Sequence, residues 1–180
     1  MRSHPWKLIG CISLALMLGS GGAAWAANPA TITVTVTIQS LSVSATGAIA
    51  FGTVTTSSST VSGSASTVTN DGNVTETYSL SLTNPASWTA VQAAPSAAED
   101  YALLAQFNTA APTSGSFSYA NHALSTGSVA SSGTKFAGDQ TGLSIAATGV
   151  RSLWFRFDAP TSTAVTTQQT ITVTVTASAG

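Results

Sequence analysis

The heptapeptide Thr-Ile-Thr-Val-Thr-Val-Thr occurs twice in this chain, at residues 31–37 and again at 170–176. Strict alternation has period two, so every second side chain falls on the same side of an extended backbone. Over 31–38, Ile32, Val34, Val36 and Ile38 share one face, and Thr31, Thr33, Thr35 and Thr37 the other. Over 165–176, Val165, Ile171, Val173 and Val175 lie opposite Thr170, Thr172, Thr174 and Thr176. β-Branched residues on both faces are restricted in a helix and pack well on a pleated surface. Both terminal segments are therefore predicted as strands.

The interior repeats the pattern less regularly. Val74, Tyr78, Leu80 and Leu82 alternate with Thr75, Thr77, Ser79 and Ser81, and they follow Asn70-Asp71-Gly72-Asn73, a turn sequence suited to positive φ. The expectation is a hairpin of residues 60–69 and 74–83. From Arg151 to Asp158, Leu153, Phe155 and Phe157 form one face and Trp154, Arg156 and Asp158 the other, before Ala159-Pro160 ends the run. In 96–108, Ser96-Ala97-Ala98-Glu99 has capping-box spacing while Tyr101, Leu103, Ala105 and Phe107 alternate; a helical turn at 96–100 leading into a strand is the reading adopted, with helix as the alternative. Residues 109–149 are rich in Gly, Ser, Thr and Ala with irregularly spaced apolar residues, which fits short strands joined by long loops. Many short strands, frequent turns and no convincing long helix define an all-β class, a two-sheet β-sandwich that is immunoglobulin-like or jelly-roll-like.

The N-terminus has the three parts of a secretory signal: basic Arg2 and Lys7, an apolar run from Leu8 to Leu18, and small residues up to Ala24-Trp25-Ala26. Residues 1–26 are read as a signal peptide and 27–180 as one β-sandwich domain, secreted to the cell surface, the medium or the periplasm. The apolar run is shorter than the roughly 20 residues of an ordinary spanning helix, and no second one follows. Leu8-Ile9-Gly10-Cys11 is similar to a lipoprotein box, but a leader needs about 7–15 apolar residues before its cleavage point, more than separate Lys7 from Cys11. Cleavage after Ala26 removes the single cysteine, leaving neither disulfide nor thiolate ligand.

Residues 27–180 keep three cations, Lys135, Arg151 and Arg156, against Asp71, Glu76, Glu99, Asp100, Asp139 and Asp158, a net charge of −3. Three scattered cations make no phosphate-binding stripe, which argues against nucleic acid and anionic membranes as partners.

The stretches Leu41-Ser42-Val43-Ser44, Phe51-Gly52-Thr53-Val54 and Val68-Thr69-Asn70-Asp71-Gly72-Asn73 together resemble the opening of immunoglobulin-like domains of the ASPM/SPD-2/Hydin type and similar bacterial surface domains. The match spans about a quarter of the chain. It departs at Ser57-Ser58, where those domains often place a glycine, and in the long Ala-rich middle. The resemblance implies an immunoglobulin-like sandwich with a binding or structural role, and carries over no catalytic residue.

Chemistry is sparse. His122, the one histidine after the expected cleavage point, sits on a predicted loop without a nucleophile motif such as Gly-x-Ser-x-Gly. Glu99-Asp100 reads as a solvated turn, and neither it nor Asp139 with Asp158 fixes two carboxylates at a working separation. Asn70, Asp71 and Asn73 offer oxygen ligands for calcium, but the turn accounts for them and more carboxylates would be needed. The expectation is a non-enzyme with no cofactor and no metal.

Two surfaces remain as candidates. Trp154, Arg156 and Asp158 project to one side of their strand, where the guanidinium can stack on the indole and pair with the carboxylate; with Trp88 they would receive a glycan or a surface protein. The alternative buries Trp154 beneath a loop carrying Trp88 or Tyr119. The terminal strands are the other surface: Ile32, Val34, Val36 and Ile38, or Ile171, Val173 and Val175, could complete the sheet of another copy, or the two could be neighbours in one core. The leading expectation is a structural or interaction subunit that self-associates through its terminal strands, the alternative a carbohydrate-binding module.

Overall fold

The computed structural model describes residues 30–180, so the expected leader lies outside the described residues. Residues 37–180 form a compact unit. Its first sheet runs β1 (Val43–Thr46), β3 (Ser66–Asn70), β8 (Val150–Asp158), β6 (Asp100–Phe107), β5 (Thr89–Ala90), with β2 (Ser59–Val61) also on β8. The second runs β7 (Val129–Ala130), β4 (Glu76–Thr83), β9 (Thr172–Ala179). Every named pairing is antiparallel except β5 with β6. The protein is an all-β, two-sheet fold.

The core lies between the sheets. Tyr78, Leu80 and Leu82 of β4 meet Tyr101, Leu103, Ala105 and Phe107 of β6 and Leu153, Phe155 and Phe157 of β8 in one buried cluster, as period two requires. Burying each large side chain contributes about 1.5–3 kcal/mol. Aromatic rings interlock across it, with Tyr101 and Trp88 each within 6 Å of Phe157.

Four expectations are corrected. Residues 60–69 and 74–83 are not a hairpin: β3 and β4 belong to different sheets, and Asn70-Asp71-Gly72-Asn73 carries the chain across the sandwich. The Asn70 amide, wholly buried, donates to the carbonyls of Val74 and Ile145, each at 2.8 Å, and so fastens the crossing to the core. No helical turn precedes β6; Ala98–Glu99 is a turn in which Glu99 takes a φ of 62°. Residues 109–149 hold one two-residue strand, a 3-10 turn at Ser114–Ser116 and a four-residue helix α1 (Tyr119–His122). Its first part covers the outer face of the first sheet, where Phe117 and Ala123 pack on Ala102 and Leu104; the segment also pairs along the edge of β6, Leu104 with Ala123 and Phe107 with Ala137, and reaches β4 of the second sheet through β7 and Ile145. Finally, residues 31–38 form no strand, whereas the C-terminal copy enters β9, shifted toward the C-terminus of the predicted range.

Candidate functional site

The outer face of β8 is covered rather than open. Arg156 and Asp158 are buried and paired, Nη2 to Oδ2 at 2.7 Å. Arg156 Nη1 also donates to the carbonyls of Ser114 and Phe117, at 2.8 and 3.2 Å, and the Tyr119 hydroxyl donates to Asp158 Oδ2 at 2.7 Å. The guanidinium lies 5.2 Å from the Tyr119 ring centre and 5.8 Å from that of Phe117. It therefore stacks on the covering segment instead of on Trp154, because that segment brings two rings and two carbonyls within its reach. Trp154 is half-buried, with its indole N–H donating to the Asn108 carbonyl at 2.9 Å. Trp154 packs at the margin of the cluster formed by Ala102, Leu104, Phe117 and Ala123. Trp88 sits on the other side of the sheet, packed on the core rings, with its N–H on Thr163 Oγ1 at 3.3 Å. The two tryptophans thus share no face.

The remaining polar candidates act as fasteners. His122 is buried: Nδ1 accepts the Ser118 N–H at 2.8 Å, so Nε2 carries the proton and donates to the Ala137 carbonyl at 3.0 Å. Burial holds its pKa below the ordinary value, with Lys135 and Arg156 adding to the effect. Glu99 accepts the Thr163 hydroxyl and the Ala164 N–H, at 2.6 and 2.7 Å, and these bonds lower its pKa. Asn70 Oδ1 and Asn73 Oδ1, the calcium candidates, accept the N–H groups of Gly72 and Ser40. A polar cleft of about 530 Å³ opens beside His122 in the covering segment, lined by Gln106, Asn108, Thr113, Asn121 and Asp139 among others.

The two copies of the heptapeptide present the sharpest contrast. In β9, Val173 and Val175, with Ile171 just before it, are half-buried against the core, and eight residues pair with β4, from Thr172 opposite Thr83 to Ala179 opposite Glu76. Among the described residues, no strand pairs with the other edge of β9. The identical N-terminal copy joins no strand among the described residues: Ile32, Val34, Val36 and Ile38 are 88%, 79%, 80% and 77% exposed. Side chains of this kind are the least often left in water, and four at alternate positions form one apolar edge.

Where this extension joins the compact unit, the chain is clasped. Asn73 Oδ1 accepts the Ser40 N–H and Asn73 Nδ2 donates to the Ile38 carbonyl, both at 2.8 Å. The Asn73 and Asp71 N–H groups donate to the carbonyls of Ser40 and Ser42, and Ser42 N–H donates to Glu76 Oε1 at 2.7 Å. Gly72 is required here, because a Cβ would stand 2.5 Å from both Glu76 Oε1 and the Ser40 carbonyl. Sequence reasoning missed this clasp. Its signal was Glu76, a carboxylate at the core-facing parity of Val74, Tyr78 and Leu80, where only a buried acceptor fits.

Among the described residues, no helix is long and apolar enough to cross a membrane. Comparison with known proteins finds no matching family, no matching characterised relative and no matching solved structure.

Proposed function

We propose that this chain is a secreted, non-catalytic structural subunit of a bacterial cell surface or extracellular matrix, whose copies join when the extension at residues 31–38 of one completes a sheet of another. One observation carries the reading: of two identical heptapeptides, one enters a sheet and the other stands exposed with its apolar edge bare. Docking would bury Ile32, Val34, Val36 and Ile38 at about 1.5–3 kcal/mol each, against about 1–2 kcal/mol per residue for ordering the backbone. Ladder hydrogen bonds add to the gain, and strand addition of this kind is an established recognition mode. The resemblance of the opening motifs to bacterial surface domains is in keeping with it.

The experiment is deletion of residues 27–38. The shortened protein is expected to keep its β circular dichroism, to be monomeric by light scattering and negative-stain imaging, and to bind a synthetic peptide of residues 27–38. Filaments that persist after the deletion would overturn the proposal.

A second reading, a glycan-binding module, draws on the polar cleft and not on Trp154 or Trp88. Its amides, hydroxyls and the Asp139 carboxylate suit a polyol. Glycan binding lost in Asn121→Ala, with oligomeric state unchanged, would favour the module over the subunit.

A further inference from the structure

Resting on the strand-donation reading, we infer that the extension of one copy enters the open edge of β9 in the next copy antiparallel, with Ile38, Val36, Val34 and Ile32 opposite Ile171, Val173, Val175 and Ala177, so that copies join end to end in an open chain.

The choice of edge follows from length. The sheets end at β1 and β5 and at β7 and β9; β5 and β7 have two residues each and β1 four, whereas β9 has eight. Short strands are one of the ways proteins blunt an edge, and charged residues or proline are others. From Thr172 to Ala179 there is neither charge nor proline. β1, the edge of the facing sheet, approaches β9, and Val43 of β1, with Ile49 and Phe51 just after it, is only half-buried against the core. The apolar layer is thus incompletely covered along the side that an added strand would close.

The register follows from parity. The apolar side chains of the donor are at even positions and those of β9 at odd ones, so a core-facing match needs Val34 opposite Val175, or a shift by two. The stated register is the one in which all four apolar residues of the donor meet all four of Ile171, Val173, Val175 and Ala177. Thr33, Thr35 and Thr37 then lie opposite Thr176, Thr174 and Thr172 on the outer face.

The direction follows from the clasp. Ile38 is fixed at Asn73, and β9 finishes at the same end of the domain, where Ala179 pairs with Glu76 and the Gly180 N–H donates to the Thr75 carbonyl. A parallel donor would bring the Asn73 ends of two copies together, at the place where the acceptor's own extension departs. Such a pair closes on itself, each copy serving the other. An antiparallel donor sets the Asn73 end of one copy at the Thr83 end of the next, leaves a free edge and a free extension, and continues indefinitely. It also prolongs a sheet that is antiparallel throughout, the more stable pairing per residue.

Cysteine cross-linking tests the arrangement in secreted protein expressed with Cys11→Ser, so that any chain keeping residues 1–26 carries no native thiol either. Mixing the single variants Val34→Cys and Val175→Cys under mild oxidation is expected to give a mixed disulfide, and the double variant a ladder of multimers on a non-reducing gel. The Val36→Cys, Val175→Cys double variant, matched to parallel pairing, is expected to give no ladder. Cross-linking confined to dimers of that second pair would overturn the direction while leaving strand donation standing. Monomers without any intermolecular disulfide, in protein whose circular dichroism is native, would overturn both.

Discussion

Arg156 holds the covering segment to the first sheet through one carboxylate, two carbonyls and two aromatic faces, all in a buried setting. Removing one member of a buried pair leaves the other charged and uncompensated, which typically costs about 3–5 kcal/mol. Arg156→Ala is therefore expected to lower the unfolding free energy from urea titration by about that amount, and to open residues 108–123 to proteolysis before the rest of the domain. His122 gives the same layer a pH dependence. Its folded pKa is depressed, so the unfolded chain binds a proton that the folded one resists, and stability falls as pH drops below about 6.5. Denaturation between pH 7 and pH 5 is expected to show this slope, and His122→Asn, which keeps an acceptor for the Ser118 N–H, to flatten it; an unchanged slope would refute the assignment. At this scale the sequence revealed which side of β8 Trp154, Arg156 and Asp158 occupy, because alternation decides that. It could not reveal that they are covered. The cover comes from a segment without period, whose hold on Arg156 uses main-chain carbonyls that every sequence possesses.

Identical heptapeptides with unlike fates show where element-level reading stops. Period two identifies a chain that is able to pair, and it held for β4, β6, β8 and β9. Pairing also needs an available edge, which no local pattern encodes. The same limit explains the crossing at Asn70–Asn73: a tight-turn sequence was legible, but the bonds from Asn70 to Val74 and Ile145 that send β4 into the other sheet join residues far apart in the chain. Because Val34 is exposed, Val34→Asp is expected to change the unfolding free energy by no more than an ordinary surface substitution, about 0.5 kcal/mol, read by urea titration. It is also expected to abolish association, since a carboxylate would face the core of the acceptor, whereas Val34→Ile should preserve it. Sedimentation velocity on the three proteins checks both halves.

For the whole molecule, the scarcity of charge decides how association responds to solvent. With a net charge of −3 over residues 27–180, and no charged residue in either copy of the heptapeptide, ionic screening has little to act upon. The assembled fraction is expected to be unchanged within about twofold between roughly 0.05 and 0.5 M salt, and to rise with sulfate, which strengthens apolar burial. Dissociation by chloride would point to ion pairs and away from strand addition.

The clasp at Asn73 has a mechanical consequence. Pairing continues past β1, from Val43 opposite Asn70 to the bonds at Ser42 and Ser40, and ends on the Ile38 carbonyl. A pull on the extension therefore enters the domain along the axis of β1. These hydrogen bonds lie across that axis, so tension loads them together in shear instead of peeling them one at a time, and Glu76 ties the same stretch to β4 in the opposite sheet.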